Sequence, residues 1–308
     1  MVNGSVDEED RVTAGKDRMA AQQPDPQSFD PVVQTHDSGL GTTYERWALN
    51  RFLDGLRQHC GWQTVLEGPG DGITGIAYLN SLGLARAGMQ VTIAATEASR
   101  AEFARQVWSV YAPSERQPRI TVQHPPGSLD NAAGQYDLVW NFNVINRHPQ
   151  PGVLLDEMIR ASRRWVLVIV PNRGNYAFWL HRLHHRASRQ AWDHGPVELL
   201  AAAPYQRMFA QAGLAVRKVA WVDCPWWPDI VDFSALVADF VPVLNGAATR
   251  LKPEKRLHWP ANHLPYYEPE RFVEVHRLMQ RLAFIENSPI GPLKQRFAHH
   301  VAVLAEKT

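Results

Sequence analysis

Cysteine is nearly missing from this chain: 308 residues contain only Cys60 and Cys224. Two thiols make neither a disulfide framework nor a four-thiolate zinc site, and each is expected to serve as a small buried hydrophobe in a reducing compartment. Long apolar runs are missing too. The longest, "WVLVIV", is far short of the ~20 residues that span a bilayer. Charge of one sign is also lacking, since 32 Lys and Arg against 31 Asp and Glu leave a formal +1. No field of that size calls for nucleic acid, and the basic cluster Arg160, Arg163 and Arg164 is expected to be a solvated helix end. The opening "MVNGSVDEEDRVTAGKD" is acidic and polar where a secretory signal needs an apolar stretch. A soluble, cytoplasmic protein is expected, with no nucleic-acid partner and no membrane span. Nothing in the composition bears on its oligomeric state.

What is present is an alternation of short β-type runs with longer helical ones. Residues 1 to about 35, rich in Asp, Gln, Pro and Ser, form an expected disordered leader ahead of a single domain over 36–308. Tyr44, Trp47, Leu49, Phe52, Leu53 and Leu56 recur at helical spacing, with Thr42 or Thr43 as the expected N-cap. Their stripe is either a core face or a first helix lying across a ligand site. "TVLEG" is followed by an expected helix from Ile73 to Arg86, and "QVTIAAT" by one from Ser99 to Tyr111. "RITVQH", "YDLVWNF" and "RWVLVIVPN" then complete a strand–helix alternation typical of a parallel sheet covered on both faces. "WVLVIV" is apolar at odd and even positions alike, as a central strand requires. "AVRKVAWVDC" and "AHHVAVLAEK" read as two further strands.

After Asn172 the composition turns aromatic and basic. Two segments, 174–195 and about 225–290, fall outside the alternation and are expected to cap the carboxyl end of the sheet, where α/β sites assemble. Tyr176, Phe178, Trp179, Trp192, Trp226, Trp227, Tyr266 and Tyr267 supply aromatic lining, for the core between cap and sheet or for an apolar or planar ligand.

The chemistry concentrates in "VLEGPGDG". Gly68, Gly70 and Gly72 clear side chains from a turn at a strand's end, the helix behind it offers unsatisfied amides, and Glu67 accepts hydrogen bonds. A dinucleotide pyrophosphate would meet this acid unfavourably, whereas a ligand with an amino group would not. Glu97 closes the second strand, where one carboxylate can accept from both hydroxyls of a ribose.

This order of pieces, "VLEGPGDG", "VTIAATE", "YDLVWNFNVINRHP" and "RWVLVIVPN", resembles the class I S-adenosylmethionine-dependent methyltransferases over roughly residues 60 to 220. "FAQAGLAVRKV" and "RFAHHVAVLAEK" look like that family's last two strands. The resemblance implies an α/β, Rossmann-like, doubly wound and mostly parallel seven-stranded sheet whose last strand is antiparallel. It implies S-adenosyl-L-methionine as cofactor, with Glu67, Gly68, Gly70 and Gly72 along its methionine part, Glu97 on its ribose, and Asn141 beside it. The adenine contact falls to Asp130 or to the backbone at Ser128 or Leu129, because "VQHPPGSLDNAAG" departs from the family's acidic residue after strand three. "ATEAS" departs from its more hydrophobic strand end.

Methyl transfer to a small-molecule acceptor then wants alignment, exclusion of water and, for some acceptors, a base. His148, after the fourth strand, and His194, beside Asp193, are the histidines expected to serve. His181, His184 and His185 share a helix face at i, i+3 and i+4. With no carboxylate at matching spacing and with Arg182 and Arg186 flanking them, they read as a solvated basic helix, and no metal is expected. A nicotinamide-dependent oxidoreductase and a non-catalytic nucleotide-binding module are the alternatives. A third glycine at the dinucleotide spacing is missing from this turn.

Overall fold

The computed structural model describes residues 35–69, 75–122, 129, 133–187, 189, 192–227 and 257–308. The expected leader up to residue 34, Gly70, Gly72, Ser128, Asp130 and residues 228–256 of the 225–290 segment lie outside the described residues.

Seven strands build the main sheet: β2 (Thr64–Glu67), β3 (Gln90–Ala95), β4 (Arg119–Val122), β5 (Tyr136–Phe142), β6 (Ser162–Pro171), β7 (Leu214–Val222) and β9 (His300–Lys307). Their order is β4-β3-β2-β5-β6-β9-β7. Only β9 runs antiparallel, against β6 on one side and β7 on the other. The other pairings are parallel. The mostly parallel, seven-stranded expectation is met, including the antiparallel final strand. A short two-stranded sheet pairs β1 (His36–Ser38) with β8 (His258–Pro260).

Both faces of the large sheet are covered. In β6, Trp165, Leu167 and Ile169 join the core on one face, and Val166, Val168 and Val170 join the core on the other. That is why "WVLVIV" is apolar at every position. The first core is roofed by α1 (Gly39–Cys60), α2 (Leu82–Arg86) and α3 (Ala98–Tyr111), the second by α4 (Pro151–Ala161) and α6 (Ala202–Gln211). β7, an edge strand, turns Arg217 and Lys218 to solvent, which discourages pairing with another chain.

Three local expectations are corrected. The helix expected from Ile73 is cut to α2, because Gly75 and Tyr78 have φ of 104° and 61°, left-handed values that an α-helix excludes. The N-cap of α1 is Ser38 rather than Thr42 or Thr43. Pairing of β1 with β8, and a bond from the Gly39 N–H to the Leu257 carbonyl, start the helix earlier, and Thr43 instead returns its hydroxyl to Gly39 O at 2.8 Å. Arg163 and Arg164 belong to β6, where Asp137 and Glu306 pair with them at 2.8 and 2.6 Å, so these charges are locally balanced.

The segment after β2 is held by an ion pair. Asp37 in β1 and Arg46 in α1 are 0% and 2% exposed and meet at 2.6 Å. Asp37 also accepts from the Ile76 N–H at 2.8 Å and from the Tyr266 hydroxyl. Arg46 donates to Asn80 Oδ1 and to the Ile76 carbonyl. A Cβ on Gly75 would stand 2.2 Å from Asp37 Oδ1, so only glycine lets the chain pass here. The Tyr267 hydroxyl, from the turn Pro265–Tyr267, donates to the Leu79 carbonyl.

Removing one partner strands the other charge in the core. Asp37→Asn is therefore expected to lower unfolding free energy by ~3–5 kcal/mol in urea denaturation. A loss below ~1 kcal/mol would show that water reaches the pair.

Candidate functional site

The carboxyl ends of β2 and β3 place Glu67, Gly68 and Glu97 on neighbouring strands. Glu67 stands opposite Ile93, so Glu97 projects four residues further along. The Gly68 N–H donates to the Trp140 carbonyl of β5 at 2.8 Å, continuing the ladder to the turn. Glu97 forms the N-cap position of α3 and meets Arg100 at 3.0 Å, half-exposed. Behind it Tyr78, in its left-handed conformation, accepts from the Thr96 N–H at 3.0 Å and the Glu97 N–H at 3.3 Å, fixing the exit from β3.

Glu67 is wholly buried. It accepts from Asn80 Nδ2 at 2.9 Å and the Ser81 N–H at 3.0 Å. Burial pushes its carboxyl up to about 7, against Ser81, Asn80 and the charge of Arg46. Glu67 thus ties the loop to the sheet. Asn141 points the other way: its Nδ2 lies 3.2 Å from Met158 Sδ on the opposite face. Its Oδ1 accepts no hydrogen bond among the described residues. His148 takes the Gln150 N–H on Nδ1 at 3.1 Å, ordering its own loop ahead of α4.

A cavity of about 420 Å³ opens at the carboxyl ends of β5, β6 and β7. Asn143 and Asn146 follow β5, Pro171 and Asn172 end β6, Asp223 follows β7, and His299 and His300 begin the antiparallel β9. Glu45 of α1 closes one side; Phe178 and His181 of α5 (Phe178–Ala187), with Trp192, Asp193 and His194, close another. Of the expected histidines, only His194 lines this space.

The sequence reading missed the polar group at the cavity's floor. Asp223, at φ 60°, meets His299 Nδ1 at 2.9 Å and faces His300 Nδ1 at 3.6 Å. Burial works to raise its carboxyl, but the two imidazoles outweigh it and hold the group below its ordinary value. Asn143 Nδ2 lies 2.9 Å from His300 Nε2, and Glu45 Oε1 lies 3.7 Å from the same atom. An amide donating to Nε2 leaves the proton on Nδ1, facing Asp223. Underneath, Glu286 accepts from the Cys224 N–H at 2.7 Å, the Asp223 N–H at 3.2 Å and the Tyr44 hydroxyl at 3.3 Å. Burial pushes Glu286 up to about 7 as well, opposed by the Cys224 amide and reinforced by Asp223. The only signal in the sequence was "HH" at the head of a strand and "DC" at the tail of another.

The aromatic residues expected in the cap divide. Phe178 and Trp192 line the cavity. Tyr266 and Tyr267 are buried against α1 and the loop after β2, Trp227 packs on Tyr44 at 5.4 Å, and Trp179 is exposed. His181 and His185 are half-buried and turned towards His194, an arrangement the solvated-helix expectation did not contain. Gly195, at φ 78°, lets that loop pass: a Cβ there would stand 1.9 Å from the Asn146 carbonyl oxygen. Asn146 Nδ2 donates to the His194 carbonyl, and Trp192 Nε1 to that of Gly195. Burial holds the His194 imidazole below its ordinary value; His185, Arg147 and His300 add to this and Asp193 opposes it.

No family model and no curated protein matches the chain. Among solved structures, magnesium protoporphyrin IX methyltransferase from Synechocystis PCC 6803 with bound SAH is 16% identical at TM-score 0.43, over 59% of this chain and 77% of that one. A SAM-dependent methyltransferase described as a possible histamine N-methyltransferase, from Thermotoga maritima, is 10% identical at TM-score 0.47, over 87% and 92%. A putative sarcosine dimethylglycine methyltransferase from Galdieria sulphuraria is 10% identical at TM-score 0.45, over 84% of each chain. Likeness at this level does not speak for the chemistry, which rests on the site itself. Among the described residues, no helix is long and apolar enough to cross a membrane.

The two raised carboxyls make a pH signature. Their folded values, about 7, exceed the ordinary 4.5, so the folded state holds extra protons between those limits. Their contribution is complete below pH 4.5 and is lost as pH rises through 7, by up to ~3 kcal/mol each. Urea unfolding at pH 5 and 8 should find Glu67→Gln with a smaller loss across that interval than the unmodified protein. An identical loss in both would place the Glu67 titration elsewhere.

Proposed function

We propose that the protein transfers a methyl group from S-adenosyl-L-methionine to a small molecule held in the cavity beside Asn143 and His300. One observation carries the reading. Gly68 and Glu97 stand at the carboxyl ends of adjacent strands β2 and β3, and the cavity opens at the same end, beginning at β5, the other neighbour of β2. Donor and acceptor sites are thereby side by side.

The residues present suit the cofactor. Glu97 is a carboxylate at the tip of the second strand, able to accept from both ribose hydroxyls. Gly68 lets the end of β2 pack against Leu129 and Ala94, which a Cβ there would meet at 2.5 and 2.9 Å, and Gly70 and Gly72, beyond it in sequence, remain the glycines assigned to the methionine part. Asp130 remains the acid assigned to the adenine side. Glu67 supports the turn from beneath through Asn80 and Ser81. When bound, the cofactor supplies a methyl group already activated by a positive sulfur.

The chain's own work is to orient the acceptor, exclude water and take a proton. After β5 we assign the polar contact to Asn143 instead of Asn141, whose side chain serves the opposite face. His300 lines the cavity with Nε2 on the Asn143 amide and Nδ1 towards Asp223; an acceptor that displaces that amide frees the Nε2 lone pair to take its proton, and the carboxylate steadies the cation formed. We place the base here and not at His148. Phe178 and Trp192 offer faces to an apolar or planar portion. The nicotinamide alternative finds no supporting feature.

Calorimetry with S-adenosylhomocysteine and a turnover screen over small phenols, amines and carboxylates test the reading. Glu97→Ala should weaken cofactor binding by ~1–3 kcal/mol. His300→Asn should lower turnover by ~10²–10⁴-fold with cofactor affinity nearly unchanged. An unmodified protein that binds neither S-adenosylmethionine nor its product would end the proposal.

A further inference from the structure

The geometry points to a divalent transition-metal site, zinc by preference, built from His181, His185 and His194 in the cavity wall. The three Nε2 atoms converge. His185 Nε2 lies 2.9 Å from His181 Nε2, which lies 3.1 Å from His194 Nε2, and one ligand atom from each ring falls within 4.8 Å of the others.

Imidazole chemistry alone accounts poorly for this. A ring nitrogen carries in its plane either one hydrogen or one lone pair, never both. The single Nε2 of His181 therefore cannot make two good hydrogen bonds, to His185 and to His194, at these distances. One ion resolves this by taking a lone pair from each ring in place of hydrogen bonds between them, since one ligand atom of each lies within 4.8 Å of the others. Zinc bound by imidazole at about 2.0–2.1 Å in tetrahedral geometry holds its nitrogens about 3.3 Å apart. The observed 2.9 and 3.1 Å fall just inside that spacing.

The supports are those of a built site. His181 and His185 stand four residues apart on α5, one turn, so both reach the same point. The third ligand comes from a loop with little freedom, pinned by the Asn146–His194 bond and by the Gly195 approach to Asn146. Trp192 packs edge-on to all three rings, at 6.0, 5.5 and 4.8 Å between centroids. Asp193 Oδ1 lies 3.4 Å from His194 Nε2 and is the carboxylate available as a fourth ligand. Arg182, whose charge weighed against a metal in the sequence, spreads its guanidinium over the rings of Trp179 and Trp192. Imidazole is a ligand of zinc, copper, nickel and iron.

His181, Asp193 and His194 also line the cavity. A metal there would face whatever the cavity holds, and so would favour a small molecule offering an ionisable oxygen, nitrogen or sulfur. This last step rests on the methyl-transfer reading; the metal site itself does not.

The test uses the full chain, purified and dialysed against metal-free buffer. Zn²⁺ titration should show one equivalent bound, and Co²⁺ should give the intense visible bands of a four-coordinate nitrogen-rich site. His181→Ala and His194→Ala should each lose the bound equivalent and the bands, Asp193→Asn should bind tenfold or more weakly, on the order of effects seen for supporting ligands, and His148→Ala should bind as the parent does. Circular dichroism and S-adenosylhomocysteine affinity are read in parallel. Metal lost with both of these retained supports the site and excludes general unfolding. Failure of the unmodified protein to bind Zn²⁺ or to colour with Co²⁺ overturns the proposal, as does binding that survives in both histidine variants. Metal binding in a protein that ignores S-adenosylhomocysteine would sustain this site while ending the methyl-transfer reading.

Discussion

The buried pair of Asp37 and Arg46 is the contact on which the arrangement of the segment after β2 depends. Each member costs desolvation that the other offsets, and the remaining hydrogen bonds go to the Ile76 backbone, the Asn80 side chain and the Tyr266 hydroxyl. Asn80 passes the constraint to Glu67, and Ser81 passes it to Trp140, whose Nε1 donates to the Ser81 hydroxyl at 3.1 Å. The chain leaving the glycine turn is thus bonded to α1, to the short β1–β8 sheet and to the centre of the large sheet. The segment from Gly75 to Ser81 is thereby fixed at several points along its length.

A second polar group organises the far side of the same edge. Asp223 sits where β7 ends, its backbone N–H bonded to Glu286 and its carboxylate facing the paired histidines at the start of β9. The antiparallel course of β9 makes this possible. A parallel final strand would put His299 and His300 at the opposite end of the sheet, away from Asn143 and Glu45. The reversed strand thus carries two imidazoles into the cavity.

Between these groups lies the wall made by α5 and the loop to Gly195. Its components are ordinary singly: a helix with two histidines a turn apart, a tryptophan, a loop with glycine. They become a cluster because Asn146, at the cavity floor, bonds the His194 carbonyl and leaves no room for a side chain at Gly195. Cavity and cluster are therefore parts of one packed unit, and a change in the loop after β5 would be felt by His194.

Strand number, order of types and the two-faced burial of β6 were legible from composition because they follow from local periodicity. "WVLVIV" must be buried on both faces, and so must the continuous apolar run in "AHHVAVLAEK", which lies between β6 and β7. The places of Gly68 and Glu97 just past the ends of β2 and β3 were legible too, since strand ends follow from local pattern. Most of what was missed involves distance along the chain. Asn141 and Asn143 differ by two residues, yet the bend at Asn143, φ 55°, sends only the second to the cavity. His194 lies thirteen residues from His181, Asp223 lies seventy-seven from His300, and Asp37 shares a pair with Arg46 only after β1 finds β8. The sequence by itself determined the sheet, because side-chain periodicity and turn chemistry act within a few residues. Only the tertiary structure decided which acids and imidazoles share a cavity, because loop closure brings together groups whose spacing carries no period.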